Sequence, residues 1–89
     1  MEILQVVDTL VCTQRHPGLQ QYSLRVLRNT SGKLQVAIDP CGSREGNWVF
    51  VISGSAARYA CEDPTVLTDL TVGGIIDYWD VDNGQLETV

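Results

Sequence analysis

The chain has 89 residues, a formal net charge of −5 and 44% hydrophobic residues. That length leaves room for one domain, and an acidic balance with scattered basic residues suits phosphate backbones poorly. The longest apolar run, residues 48–52, falls far short of the roughly 20 residues that a membrane-crossing helix needs. A domain this small buries only about 60–65% of the surface of its unfolded chain, so its own core leaves it marginal. Disulfides, a metal or oligomerisation usually make up the difference. Cys12, Cys41 and Cys61 are odd in number and form no CxxC pair, and His16 is the only histidine. A disulfide framework and a zinc site are therefore disfavoured, and association between subunits is expected. With no secretory leader pattern, unpaired cysteines predict a reducing, cytoplasmic setting. No cofactor is implied.

In chain order, residues 3–13 are rich in β-branched and aliphatic side chains (Ile3, Val6, Val7, Thr9, Val11, Thr13) and predict a long first strand. Their alternation is imperfect, which predicts a bend or bulge near Asp8. Residues 14–21, with His16-Pro17-Gly18, read as a loop. Residues 22–28 alternate, with Tyr22, Leu24 and Val26 on one face and Ser23, Arg25 and Leu27 on the other. Asn29-Thr30-Ser31-Gly32 is a turn, so this strand and residues 34–39 form a hairpin. In the second arm Val36 and Ile38 alternate with Gln35, Ala37 and Asp39, which predicts burial of one face. Pro40 ends that ladder. Gly42 and Gly46 then bracket a polar loop.

Residues 47–53 form the next strand. Its stretch 48–52 is apolar at every position, the pattern of a strand covered on both faces; in so small a chain the second cover is expected to be another subunit. Ser53 and Ser55 are N-cap candidates for a short helix at 56–61, and Pro64 disfavours helical angles at Asp63. Residues 65–70 connect to a last strand at 71–80. Gly73-Gly74 near its start predicts a bulge or the close approach of another backbone. Residues 81–89 form a polar, acidic tail beyond a barrel domain at 1–80. Five strands, with one short helix between the fourth and fifth, predict a mainly-β fold: a small OB-like closed barrel.

Chemistry is sparse. Gly42-Ser43-Arg44-Glu45-Gly46 lacks the Gly-Lys-Ser/Thr ending of a phosphate loop, and Gly54-Ser55 is no nucleophile elbow. A Ser55–His16–Asp arrangement competes with plain helix capping by Ser55, which the residues favour. Asp39 and Asp77 could be an acid–base pair, but strand-end carboxylates that accept backbone hydrogen bonds or pair with Arg58 are the better reading. Arg58 is expected to meet Asp39 or Asp77, within or across a subunit boundary; a solvated arginine is the competing reading. Trp48, Tyr78 and Trp79 could stack bases, as in an OB-type module for single-stranded nucleic acid or oligosaccharide. The acidity favours core and interface packing instead. Cys41 reads as a small buried filler rather than a reactive thiol. The loop at 42–46, with Arg44 and Glu45, is presented by two strong strands, as recognition loops are; a plain solvent-facing loop fits equally well.

Several stretches, taken together, carry a resemblance: Met1-Glu-Ile-Leu-Gln-Val-Val7, Leu10-Val-Cys-Thr-Gln14, Gln35-Val-Ala-Ile-Asp39, Gly42 with Gly46-Asn-Trp-Val49, Ser53-Gly-Ser-Ala-Ala-Arg58 and Val72-Gly-Gly-Ile-Ile-Asp77. In this order, over nearly the whole chain, they are similar to the CcmL/EutN family of bacterial microcompartment vertex proteins. Ser23-Leu-Arg-Val26 and Ile76-Asp-Tyr-Trp79 look most like its α-carboxysome branch. The resemblance implies a β-barrel protomer in a homopentameric ring, a non-catalytic corner of a carboxysome shell that limits carbon dioxide leakage. Its partners would be hexameric facet proteins, with a paralogous vertex protein as a further candidate, and neither nucleic acid nor membrane. Trp48, Phe50, Gly54, Ser55, Arg58, Gly73 and Gly74 are then candidates for the subunit interface or five-fold axis. Arg44 and Glu45 are candidates for shell contact.

Overall fold

The computed structural model describes residues 1–80 and 86–88. Its strands are β1 (Glu2–Leu10), β2 (Ser23–Arg28), β3 (Leu34–Asp39), β4 (Trp48–Ser53), β5 (Leu70–Ile76), β6 (Tyr78–Asp80) and β7 (Leu86–Thr88), and one short helix, α1 (Ala56–Tyr59), lies between β4 and β5. The first five close into a barrel in the order β1-β2-β3-β5-β4, with β4 returning to pair with β1. This is the five-stranded barrel with a displaced helix that the sequence predicts. The seam is a single parallel pair, Ile38 with Thr71; the other joints are antiparallel. The bulge in β1 falls where expected, between Val6 and Asp8.

Cross-strand partners share a face, so the register sorts inside from outside. Leu4, Val6, Leu27, Ala37, Val49, Val51 and Val72 fill the barrel. Outside, Leu24 and Ile38 lie under a roof made by Cys61 and Val66, with Leu19 and Tyr22 beside it. β3 therefore departs from the one-faced alternation predicted for it. Ala37 points into the barrel, Ile38 is buried under the roof, and Val36, beyond the roof's reach, is 47% exposed. β2 is two-faced for the same reason: Leu27 is inside and Leu24 outside, both buried.

The predicted last strand divides at Asp77. β5 stays in the barrel, while β6 pairs with β7 in a separate two-stranded sheet. The polar tail read from the sequence contained no strand; its residues 86–88 form one, and 81–85 and 89 lie outside the described residues. The helix stops at Tyr59, short of the predicted 61. Asp63 instead organises the next turn: its carboxylate accepts from the Thr65 hydroxyl and amide and from the Gln20 side chain. These hydrogen bonds, the Thr65 hydroxyl first, hold its pKa below the usual carboxylate value. No helix among the described residues is long and apolar enough to cross a membrane.

Candidate functional site

Asp39 ends β3 fully inside the protein and organises the loop that follows. One carboxylate oxygen accepts from the Cys41 and Gly42 amides at 3.1 Å each. The other accepts from the Ser43 amide at 2.7 Å, the Ser43 hydroxyl at 2.8 Å and Arg25 Nε at 2.9 Å. Arg25 reaches it because Ser23 opposes Asp39 and Arg25 opposes Ala37, which sets both ionic side chains on the inner face. Arg25 Nε also donates to the Ser43 carbonyl. The far end of the loop is tied to β1, with Gly46 N donating to the Val6 carbonyl and Val6 N to that of Asn47. Gly42 and Gly46 have φ of +76° and +90°, a region that side chains disfavour. Arg44 and Glu45 are exposed between these fixed ends.

Two residues of this cluster, Arg25 and Ser43, escaped the sequence reading. The signal for Arg25 was present in the hairpin register, which places it two residues from the partner of Asp39; Ser43 sits in the loop beyond that register. Arg58 does not meet Asp39; the carboxylate is committed to Arg25. Arg58 lies exposed on α1, and no ion pair to Asp77 forms among the described residues. Gly54 and Ser55 precede it on the surface. Ser55 occupies the N-cap position without a side-chain hydrogen bond, so the predicted capping role fails. His16 is bound locally, its Nδ1 accepting from the Gly18 amide. No group of three or more potential metal ligands gathers among the described residues. Cys41 is exposed as a residue rather than a buried filler; partial desolvation of its thiol first, and the nearby Asp39 carboxylate second, push its pKa up, away from nucleophilic reactivity at neutral pH. Cys61 is the buried cysteine.

Trp48, Phe50 and Ile52 form the outer row of β4, half-buried, while Val49 and Val51 face the core. Phe50 opposes Ile3 on β1 and Gly74 on β5. Its ring lies on the glycine pair: a Cβ built at Gly73 or Gly74 would come within 2.6 or 2.5 Å of ring carbons. The register slips at this point, so the predicted bulge is present, and the close neighbour is an aromatic ring rather than a second backbone. The outcome is an apolar outer face of Ile3, Trp48, Phe50, Ile52 and Ile76.

A second apolar face lies on the outer side of β2 and β3. There Val36, Leu10 and Leu67 are exposed and line a groove of about 330 Å³. In the barrel order, β4 sits between β1 and β5, across from β2 and β3. One small protomer carries two apolar faces, a half-buried one on β4 and an exposed one around the groove.

Residues 1–77 match the family model described as "Ethanolamine utilisation protein EutN/carboxysome". The carboxysome shell vertex protein CsoS4B of Prochlorococcus marinus subsp. pastoris is 65% identical over 71 residues, covering 80% of this chain and 97% of that protein. The structure of CsoS4B from Halothiobacillus neapolitanus superposes with a TM-score of 0.82 at 56% identity, covering 86% of this chain and 99% of that one. The GrpN pentameric microcompartment shell protein from Rhodospirillum rubrum superposes at 0.74 with 30% identity, covering 86% and 95%.

Proposed function

The chain belongs to the EutN/CcmL family, and from that premise we propose that it is the structural vertex protein of a carboxysome shell, working as a ring of five identical chains. The observation that carries the ring is the pair of distinct apolar faces on one barrel, the outer row of β4 and the groove around Leu10, Val36 and Leu67. A two-fold dimer would cover one patch with its own copy, whereas a cyclic ring covers one patch with a different one on the next chain. Solvent-exposed apolar area of this kind marks an interaction surface in a soluble protein, and relatives of the same fold are described as pentameric. Trp48, Phe50, Gly73 and Gly74 belong to this contact in our reading. Gly54, Ser55 and Arg58 sit toward the five-fold axis, and Arg44 and Glu45 meet the hexameric facet proteins or a paralogous vertex protein.

The work of such a ring is geometric. Flat sheets of hexamers close into a polyhedron only with five-fold corners, and a filled corner limits carbon dioxide leakage. No catalytic step is assigned to the chain. An OB-type nucleic-acid module has no observation in its favour, since the net charge is −5 and Arg25, on the inner face, is neutralised by Asp39. Native mass spectrometry of the purified protein tests the ring: we expect the mass of five chains, and a stable folded monomer at micromolar concentration overturns it.

A further inference from the structure

We propose that Arg25 and Ser43 are positioning residues: with three consecutive loop amides they form a carboxylate receptor, filled by the chain's own Asp39, that sets Arg44 and Glu45 for contact with a neighbouring shell protein. The proposal rests on the shell-contact reading above and adds the machinery that shapes the contact.

The amides of Cys41, Gly42 and Ser43 all donate to the Asp39 carboxylate. Successive amides aimed at one point make the kind of concavity that binds free anions, and here the anion is built into the chain. Arg25 supplies the charge and the ties. Its Nε is shared at 2.9 Å between Asp39 and the Ser43 carbonyl, and its Nη1 donates to the Thr9 hydroxyl at 2.9 Å. One side chain thus joins β1, the end of β3 and the loop. Ser43 is fully buried although it lies in that loop.

The next residues are pinned from the far side as well. Arg44 N donates to the Asn47 side-chain carbonyl at 2.8 Å, and Asn47 N donates to the Arg44 carbonyl at 3.0 Å. Arg44 and Glu45 therefore present exposed side chains on a backbone fixed at both ends. Stability alone is a weak reason for this arrangement, because apolar residues of similar volume often match or better a buried ion pair. What the pair adds is direction, since each bond to the carboxylate dictates where a loop amide must sit. A loop shaped in advance loses less freedom when a partner docks.

The receptor is tested by refilling it. In Asp39→Gly we expect hydrogen exchange of the 40–47 segment to rise roughly tenfold, and sodium formate to reverse most of that rise where sodium chloride of equal ionic strength does not. Formate acting no better than chloride overturns the receptor. Ser43→Ala and Arg25→Lys keep the carboxylate and serve should Asp39→Gly fail to fold; unchanged exchange over 40–47 in both overturns the lock. The positioning role is tested in the host, by the amount of each variant that co-purifies with shells. We expect Ser43→Ala and Arg25→Lys to keep the five-chain mass and enter shells severalfold less than wild type. Loss of the ring in both overturns the proposal, because the network would then hold the subunit rather than the loop. The double variant Arg44→Ala/Glu45→Ala separates the two readings. If it is excluded from shells while the loosened-loop variants enter normally, the positioning role fails alone. If it enters as the wild type does, the shell-contact reading beneath the proposal fails.

Discussion

At the scale of single residues, Asp39 has the largest structural role. Its buried carboxylate is satisfied by three backbone amides, one hydroxyl and Arg25. Asp39→Ala removes all five acceptor interactions and leaves Arg25, whose side chain is only 14% exposed, without its counter-charge. Breaking one side of such a pair costs about 3–5 kcal/mol, a large share of the roughly 4–13 kcal/mol expected for a chain of this length. Urea unfolding should register that loss, whereas Glu2→Ala at the exposed start of β1 should stay within about 0.5 kcal/mol. Asp39 itself was legible as a strand-end carboxylate that accepts backbone hydrogen bonds. Its ionic partner was not, because Arg58 stood out by composition, whereas Arg25 follows only from the pairing of Ser23 with Asp39. The reading of Ser55 failed for a related reason. Cap preference is a local statistic, and here Ser55 has helical angles of its own, from which its hydroxyl caps nothing.

At the scale of elements, the glycine pair in β5 controls the shape of the outer β4 face. Gly74→Ala would place a methyl carbon 2.5 Å from Phe50 Cε1, so the ring must leave its seat. Overpacking of this sort costs about 1–3 kcal/mol, and thermal unfolding should show it as a lower Tm. Sites in direct contact are non-additive, so Gly74→Ala should cost much less in a Phe50→Ala background than in the wild type. Equal costs in the two backgrounds would show that the ring is not what the glycine accommodates. The five barrel strands, their order along the chain, the β1 bulge and the position of α1 were readable, because alternation, turn residues and glycine pairs are local signals. The division of burial within β2 and β3 was not. A barrel strand can bury one face in the core and the opposite face beneath a covering loop, as Leu27 and Leu24 do, and period-2 alternation carries no information about where that cover ends. Nor did the residues announce that the 71–80 strand would divide at Asp77 to give β6 a partner outside the barrel.

For the whole molecule, the two apolar faces of the barrel are what the proposed ring would cover, and the doubly apolar stretch 48–52 is the sequence feature that leads to that reading. The groove that supplies the second face was invisible in the sequence, since it brings together Leu10, Val36 and Leu67, which share no local pattern. If the ring is a shell corner, its loss should affect closure and spare the facets, because flat hexamer sheets need no five-fold element to grow. Deletion from the host, with any paralogue also removed, should therefore yield elongated or open bodies under the electron microscope and slowed growth in air that raised carbon dioxide relieves. Complementation with Val36→Asp should fail in the same way even though the chain is present and folded, since corner filling depends on the ring and not on the protomer. Regular closed polyhedra and normal growth in air after such a deletion would rule out the vertex role. Rescue by Val36→Asp while it remains monomeric on native mass spectrometry would instead separate the shell function from the ring.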